Sequence, residues 1–267
     1  MTARLRVAVV ADFAEEGWPS MDLVADMLAG HLASEHADAV EATLVRPVMP
    51  LRLTRIVPRP GLAPVGADRV AARLFDYPRL LAAAGAFDVY HVVDHSYSHL
   101  LHGLPVGRTL VTCHDLDTFR SILQPDEEPR SWPFRVMTRR ILSGLHLASH
   151  VACDSEATRG ALVRLAGFPE DRLSVIPNGA DTEGQSEPEA AADVEAARIL
   201  GPRRGVEILH VGSTIQRKRI DVLLDVFAGV RRSRPELRLT RVGGPFTADQ
   251  RIRARDLGVL DAITVLP

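Results

Sequence analysis

The chain has 267 residues, of which 46% are hydrophobic and 25% are charged, values that are ordinary for one or two globular domains. The formal net charge of −2 argues against a nucleic-acid-binding protein, and no apolar run reaches the roughly 18 residues of a membrane helix. The N-terminal apolar run, residues 7–11, is too short for a signal-peptide core. Cys113 and Cys153 each close an apolar run, so we expect buried reduced thiols and a cytoplasmic protein.

Short β-branched runs alternate along the chain with longer helical patterns. Residues 5–11 form a near-continuous apolar run, as expected of a parallel strand that is buried on both faces. A helix follows, for which Ser20 is the expected N-cap and Met21 begins an apolar face that continues to Leu32 at spacings of three and four. Further strands are predicted at 40–45, 89–93, 109–113, 151–153 and 173–176.

The segments between these strands differ in type. Residues 48–66 are rich in proline and glycine and are predicted to be a loop. Residues 71–84 are predicted to be helical with an interruption at Pro78, because proline lacks the amide hydrogen that a helix interior needs. Two stronger helices are predicted at 134–148 and, with Ser155 as N-cap, up to about Leu165.

The composition changes after the turn signal Pro177-Asn178-Gly179. Residues 181–197 are acidic and rich in alanine and are predicted to be a linker with a helical turn near its end. Strands are then predicted at 206–211, 237–242 and 262–266, with helices at 220–230 and about 248–257. Repeated strand–helix units imply a doubly wound α/β fold with a parallel sheet in each half. We therefore predict a complete Rossmann-like domain at 1–180, a linker at 181–204 and a partial second Rossmann-like domain at 205–267, since such domains usually have about 100 residues or more.

Polar residues gather where the predicted strands end. Open parallel sheets bind their ligands beyond the carboxyl ends of the strands, so these residues are the candidates for a site. They are Asp12, Asp94, His95, His114, Asp115, Asp154, Ser155, Asn178, Gly179, Gly212, Ser213, Gly243 and Gly244.

Three consecutive cations, Arg217-Lys218-Arg219, precede the helix predicted at 220–230. A helix N-terminus disfavours cations by roughly 0.3–1 kcal/mol each, so their placement makes sense if an anion binds among them. Gly212 would let the backbone approach such an anion, toward which the helix N–H groups point, and a diphosphate would suit. The alternative is a solvated basic turn that binds no ligand.

Five short stretches, in this order and spacing, together resemble glycosyltransferase family 4, whose members have the GT-B fold of two facing Rossmann-like domains. Each stretch alone is a weak signal, and the Ile-Pro-Asn-Gly turn before a linker is the most specific. The stretches are Phe-Asp-Val-Tyr-His-Val-Val-Asp at 87–94, Leu-Val-Thr-Cys-His-Asp at 110–115, Cys-Asp-Ser-Glu-Ala-Thr at 153–158, Val-Ile-Pro-Asn-Gly-Ala-Asp at 175–181 and His-Val-Gly-Ser-Thr-Ile-Gln-Arg-Lys at 210–218.

The resemblance implies a nucleotide-sugar donor held mainly by the second domain and an acceptor held by the first. Lys218 lies where the family places a lysine on the donor diphosphate, in the same loop as Gly212. Ser213 stands where the family has an arginine, so either Arg217 or the serine hydroxyl and backbone would make that contact. His114 matches the histidine that approaches the donor sugar and is the catalytic candidate, with an orienting role rather than a nucleophilic one.

Five residues are candidates for contacts with the acceptor or the sugar. Gly17 lies in the loop after the first strand, where the family usually has several glycines and this chain has one. Trp18 offers a ring that would stack on a sugar, although packing within the protein is an equal alternative. The other three candidates are Asp94, His95 and Asp115.

By resemblance, the reaction retains the anomeric configuration and needs no metal or other cofactor. The diphosphate leaves and an acceptor hydroxyl attacks from the same face, so the protein acts mainly through electrostatic stabilisation. The expected partners are a nucleotide sugar and a glycan or lipid-linked acceptor, with no nucleic acid, and peripheral membrane contact is left open. The family's paired glutamates would lie beyond Pro267, and we interpret Glu187 and Glu195, which share their spacing, as a coincidence. We therefore expect a C-terminally truncated chain with incomplete donor binding, and its activity alone stays open.

Several alternatives compete with a glycosyltransferase. The chain could be a non-catalytic acceptor-binding remnant, or a sugar-nucleotide epimerase of the same fold. His91, His95, His99 and His102 suggest a zinc site, but they do not share one helical face. Asp115 and Asp117 form an Asp-x-Asp pair typical of metal-dependent glycosyltransferases of another fold. No Gly-x-Gly-x-x-Gly follows the first strand and no Gly-x-Ser-x-Gly is present, which argues against a nicotinamide enzyme and a serine hydrolase.

Overall fold

The computed structural model describes residues 3–56, 62–179, 189–201 and 205–267. The chain divides into two compact units, Met1–Ala180 and Asp181–Pro267. Each unit has its own parallel sheet and its own hydrophobic core.

The first unit is built on a six-stranded parallel sheet. Its strands are β1 (Leu5–Val10), β2 (Val40–Val45), β3 (Val89–Val92), β4 (Thr109–Cys113), β5 (His150–Cys153) and β6 (Leu173–Val175), in the spatial order β2-β1-β3-β4-β5-β6. Each of the six predicted strands is confirmed to within a residue. The chain winds to one side of β1 through β2 and to the other side through β3, so β1 and β3 flank the topological switch point, where open α/β sheets bind their ligands.

The helices of this unit are α1 (Pro19–Glu35), α2 (Arg52–Ile56), α3 (Leu62–Ala71), α4 (Tyr77–Ala83), α5 (Arg120–Leu123), α6 (Trp132–His146) and α7 (Glu156–Ala166). The predictions of α6 and α7 are confirmed, and the side chain of Ser155 accepts a hydrogen bond from the Thr158 amide as the predicted N-cap. The prediction that Ser20 caps α1 is wrong. The helix begins one residue earlier, at Pro19, where the missing amide hydrogen of proline costs nothing.

The prediction of a loop over residues 48–66 is also wrong. Helix α2 and the start of α3 lie within it, and the part at 57–61 is outside the described residues. Asp68 stabilises the start of α2 because its carboxylate accepts hydrogen bonds from the amides of Leu53 and Thr54, each at 2.9 Å. This tertiary contact overrides the local proline signal.

Pro78 does not break the helical region in which it lies. Helix α3 continues through a π-helical turn, Ala72–Asp76, directly into α4, and Pro78 lies in the first turn of α4. The irregularity in this region is therefore the wider π-helical turn, which precedes the proline. Pro78 itself is tolerated because the first turn of a helix needs no amide hydrogen at that position.

A 3-10 helical stretch, His95–Gly103, follows β3 and has no counterpart in the predicted elements. Asp94 caps it, since its carboxylate accepts a hydrogen bond from the Ser96 amide at 2.8 Å. Most of its residues are buried, and helix α6 packs against it, with Gly144 at the closest approach.

The second unit contains α8 (Ala190–Leu200), β7 (Glu207–Val211), α9 (Ile220–Arg231), β8 (Arg238–Val242), α10 (Ala248–Asp256) and β9 (Ile263–Leu266), with the strands parallel in the order β7-β8-β9. The predicted strands and helices of this half are confirmed to within two residues. The helical turn predicted near the end of the linker is a longer helix, α8, of 11 residues. Alanine content and the Glu195–Arg198 ion pair favour that helix, whereas residues 181–188, with Glu187, lie outside the described residues.

The two cysteines are neighbours in the first sheet. Cys113 on β4 pairs in register with Cys153 on β5, and both are buried and unbridged, as predicted. Burial raises the pKa of Cys113 well above its ordinary value and that of Cys153 to about 11, so both thiols stay protonated and unreactive at neutral pH.

Candidate functional site

His114 joins the loops that follow four neighbouring strands of the first sheet. Its Nδ1 lies 2.7 Å from Oδ2 of Asp154, after β5, and its Nε2 lies 2.8 Å from the carbonyl oxygen of Val93, after β3. The amide of Asn178, after β6, donates to the same Asp154 oxygen at 3.1 Å. Strand-end residues that are far apart in sequence therefore form one network.

The partners of His114 favour its charged form. Both of them accept hydrogen bonds, so both ring nitrogens must carry a proton to satisfy them. Burial opposes the charge, but the hydrogen bond and the negative charge of Asp154, together with the Val93 carbonyl, raise the pKa of His114 overall. Both ring nitrogens of His114 are engaged by these partners, so neither is free to act as a base.

His95 lies beside His114, with their ring centroids 6.3 Å apart. It is buried between two acids, with Nδ1 at 3.3 Å from Oδ1 of Asp94 and Nε2 at 3.9 Å from Oδ1 of Asp115. Neither ring nitrogen makes a hydrogen bond within the described part of the chain. The structure thus brings together four of the predicted site residues, His95, His114, Asp94 and Asp115.

A carboxyl pair lies at the switch point between β1 and β3. Asp12 and Asp94 are both buried, and burial, followed by the charge of Asp94, raises the pKa of Asp12 to about 9. Burial acts in the same direction on Asp94, but the charge of His95 and hydrogen bonds from Ser96 outweigh it and lower the pKa of Asp94. At neutral pH Asp12 therefore holds a proton and Asp94 carries the charge.

The loop after β1 is held by a buried ion pair that sequence analysis missed. The Glu16 carboxylate, whose side chain is inaccessible to solvent, binds Arg73, with Nε of the arginine 2.7 Å from Oε1. The Arg73 guanidinium lies 4.1 Å from the centre of the Tyr97 ring, and the hydroxyl of Tyr97 accepts a hydrogen bond from the Phe13 amide at 3.0 Å. The sequence gives no clear signal for this pair, because Asp68, Arg69 and Asp76 lie near Arg73 and nothing distinguishes the charge that is buried.

Gly17 and Trp18 follow this ion pair directly. Gly17 has φ 71°, a left-handed conformation that ends a short 3-10 turn, and Trp18 is 49% exposed at the start of α1. The exposed ring is available to a ligand.

The second unit places the predicted diphosphate residues around the ends of β7 and β8. Gly212 follows β7, and its amide donates to the Val242 carbonyl of β8 at 2.9 Å. Ser213 is exposed in the loop that follows. Arg217 and Lys218 lie in a 3-10 turn, Gln216–Lys218, directly before α9, and both are exposed.

The three predicted cations differ in their surroundings. Arg219 takes a left-handed conformation, φ 48°, at the N-cap of α9, and its side chain forms an ion pair with Asp221 at 2.9 Å. Lys218 forms no ion pair with any described residue. Arg219 is therefore engaged by Asp221 of α9, and only Arg217 and Lys218 remain as candidates for binding an anion. A buried arginine on β8, Arg241, lies behind this loop and was missed by sequence analysis.

The alternative metal sites receive no support from the contacts. His91 bonds to Thr112, His99 to the carbonyl of Arg73 and His102 to the carbonyl of Arg140. Within residues 3–56, 62–179, 189–201 and 205–267 no three His, Cys, Asp or Glu residues are grouped to hold a metal ion. Among the same residues, no helix is both long and apolar enough to cross a bilayer.

Comparisons with known proteins give a family from a family model and a fold from solved structures. A family model described as Glycosyltransferase Family 4 matches residues 22–184, more than half of the chain. HepE of Anabaena, solved in complex with UDP and glucose, has 16% sequence identity and a TM-score of 0.59, over 99% of this chain and 70% of that one. Sucrose-phosphate synthase of Thermosynechococcus elongatus has 18% identity and a TM-score of 0.66, over 98% of this chain and 70% of that one. WaaG, a glycosyltransferase involved in lipopolysaccharide biosynthesis, has 13% identity and a TM-score of 0.58, over 97% of this chain and 69% of that one. No curated protein matches the sequence.

Proposed function

This chain belongs to glycosyltransferase family 4 and has a GT-B-type fold, and we propose that it transfers a sugar from a nucleotide-sugar donor to an acceptor hydroxyl with retention of configuration. The observation that carries the proposal is Lys218. It is the only lysine in the sequence, and it lies beside a glycine loop at the start of a helix. A lysine ammonium is a compact point charge that suits a phosphate oxygen.

In this proposal the donor diphosphate is held by Gly212, Ser213, Arg217 and Lys218. The N-terminus of α9 adds amide groups and the positive end of its dipole, which favour an anion there. HepE structures in complex with UDP and with UDP-glucose support a nucleotide sugar as the donor class. The leaving diphosphate gains negative charge in the transition state, and fixed cations stabilise that charge most.

His114 is proposed to contact the transferred sugar as a cation. Because its ring nitrogens serve protein acceptors, it orients the sugar rather than removing a proton. The bond between the anomeric carbon and the diphosphate oxygen breaks, the acceptor oxygen bonds to that carbon on the same face, and the acceptor proton passes to the leaving diphosphate. Asp94, His95, Asp115, Gly17 and Trp18 are the proposed acceptor and sugar contacts.

The proposed acceptor is a glycan or a lipid-linked saccharide, and one surface favours the lipid-linked form. Trp132 is 74% exposed and Val136 is 43% exposed on the face of α6 opposite its buried residues. Arg135, Arg139 and Arg140 flank them, and none of the three forms an ion pair with a described residue. No acidic residue occurs between 131 and 146. Exposed tryptophan beside arginines is typical of an anionic membrane surface.

Vesicle sedimentation tests the membrane contact. We expect binding to phosphatidylcholine vesicles only when phosphatidylglycerol is added, and loss of that binding in Trp132→Ser with Arg139→Gln and Arg140→Gln. The matched control is Arg232→Gln with Arg234→Gln, which removes the same charge from the exposed end of α9. Equal binding to both kinds of vesicle, or equal loss in both variants, would contradict an α6 surface.

The single lysine allows a direct test of the donor site. A lysine-specific acylating reagent should label Lys218 besides the chain's α-amino group, and UDP, GDP or ADP should protect Lys218 whereas the matching nucleoside should not. Activity is then followed as release of nucleoside diphosphate from a donor panel with and without saccharide acceptors. Binding without turnover would indicate an acceptor-binding remnant, and donor conversion without any acceptor would indicate an epimerase. Absence of protection by every diphosphate would refute the proposed donor site.

A further inference from the structure

Arg241 is a fully buried cation near the carboxyl end of β8. Its guanidinium donates to three backbone carbonyls, those of Gly212 at 2.8 Å, Gly243 at 3.2 Å and Gly244. No carboxylate in the described part of the chain forms an ion pair with it. Arginine keeps its charge in proteins, so this strand buries an uncompensated positive charge.

Such a charge is costly unless the fold or a ligand uses it. Burial lowers the pKa of Arg241, which reflects the loss of hydration around the guanidinium. A structural arginine in a core is normally paired with an acid, whereas this one meets carbonyl dipoles and the Phe246 ring, whose centre lies 5.4 Å from the guanidinium carbon, and no carboxylate of a described residue. An anion bound nearby would supply the missing negative charge.

The bonds of Arg241 connect it to the proposed diphosphate loop. The Gly212 carbonyl points toward the guanidinium, and in a planar trans peptide the following amide, that of Ser213, points the opposite way. Gly243 packs directly against this peptide, since a Cβ there would lie 2.2 Å from the Gly212 oxygen. Arg241 therefore fixes the direction in which the loop presents its amide.

The positive charges of Arg241, beneath the loop, and of Lys218, on its surface, both act on His210. The ring of His210 lies beside Gly212, with Cε1 at 3.2 Å from where a Cβ would be. Burial, then the charge of Arg241, and also that of Lys218, lower the pKa of His210. The buried and the exposed cation thus act on the same small region.

We propose that Arg241 is a positioning residue of the diphosphate site, which aims the Gly212–Ser213 peptide outward and supplies positive charge from beneath the loop. The inference rests on the proposed function. It adds a residue buried in the core to a site that is otherwise formed by an exposed loop.

Two substitutions separate the charge from the hydrogen bonds. Arg241→Lys keeps the charge, and Arg241→Gln keeps an amide donor for the carbonyls but removes the charge. By calorimetry with UDP, GDP, ADP and inorganic pyrophosphate, we expect Arg241→Gln to bind diphosphates about tenfold more weakly and Arg241→Lys to stay within about threefold of the unaltered protein. Arg238→Gln, on the same strand and with the same change in charge, should leave affinity unchanged.

A rescue excludes a purely structural role. Adding Ser213→Arg to Arg241→Gln returns a cation to the loop from outside, and we expect it to restore most of the lost affinity. Thermal unfolding of each variant checks that the second unit still folds. If Arg241→Gln does not fold, Arg241→Lys with and without Ser213→Arg gives the decision when compared with Ser213→Arg in the unaltered protein, because a role limited to shape predicts the same gain in both backgrounds.

The outcomes distinguish the two proposals. If the unaltered protein binds none of the four probes, the proposed donor site fails and this inference fails with it. If it binds them and Lys218→Ala weakens binding while Arg241→Gln does not, only the role of Arg241 is overturned. Equal losses in Arg241→Gln and Arg241→Lys without rescue overturn the contribution of positive charge from beneath the loop, since only the bonds of the guanidinium to the carbonyls would then matter.

Discussion

Gly144→Ala tests how tightly the candidate site is held against α6. A Cβ at Gly144 would lie 2.0 Å from the carbonyl oxygen of Ser98 and 3.0 Å from the amide nitrogen of His99. Both neighbours are backbone atoms of the stretch His95–Gly103, which carries the candidate residue His95. The helix and the stretch would have to separate by more than an ångström to reach ordinary contact.

The expected loss of stability follows from two opposing terms. Overpacking against backbone costs about 3 kcal/mol, and the higher helix propensity of alanine returns about 1 kcal/mol. The net loss is about 2 kcal/mol, which lowers the Tm of a domain of this size by roughly 4–8 °C. The assay is thermal unfolding followed by circular dichroism or calorimetry.

Gly30→Ala is the matched control, because Gly30 is also inside a helix, α1, but has no atom within 4 Å of a built Cβ. It should stabilise the protein by about 0.5–1 kcal/mol. If Gly144→Ala unfolds at or above the temperature of the unaltered protein, the close contact between α6 and the 3-10 stretch does not exist in solution.

Three further experiments, two substitutions and one labelling measurement, test other parts of the first unit. The pKa of His114 is raised in the folded state, so its contribution to stability is full below its unfolded pKa and is lost as pH rises through the folded value. Asp154→Asn should therefore lower the His114 pKa seen by NMR and destabilise the protein more at pH 6 than at pH 9; an unchanged pKa would remove Asp154 as its cause. Arg73→Met leaves the Glu16 carboxylate without its closest partner and should cost about 3 kcal/mol in urea unfolding, part of which Glu16→Gln recovers; additive losses would mean that the pair is not coupled. Cys113 should react with a thiol reagent only at the rate of unfolding, and fast labelling of the native protein would show that its burial is wrong.

The strands could be predicted because their signal is local. Residues 7–10 are an apolar run that is buried on both sheet faces, and residues 109–113 alternate buried with half-buried positions, so short-range patterns are enough to find both strands. The helices α2 and α3 could not be predicted from their proline-rich sequence, since the amides that begin α2 are satisfied by Asp68, which is distant along the chain. The stretch after β3 was missed for a related reason, because packing on α6 holds it rather than its own periodicity.

The site divides in the same way. Strand-end positions identified His114, Asp154 and Asn178 as polar residues at one edge, and the structure joins them through hydrogen bonds. Sequence patterns cannot show which charges are buried, and so Arg73 and Arg241 passed as ordinary helix and strand residues. Their burial becomes visible only in the structure, which shows Arg73 bound to the Glu16 carboxylate and Arg241 bound to the Gly212 carbonyl.

The backbone contact between Gly212 and Gly243 has a consequence for any attempt to redesign the second unit. The loops after β7 and β8 touch without side chains between them, so any larger residue at 243 forces the other loop to retreat. A library that varies one loop while holding the other fixed would mostly sample distorted backbones. Engineering of a new ligand preference there has to vary the two segments as a single module, with compensating changes chosen in pairs.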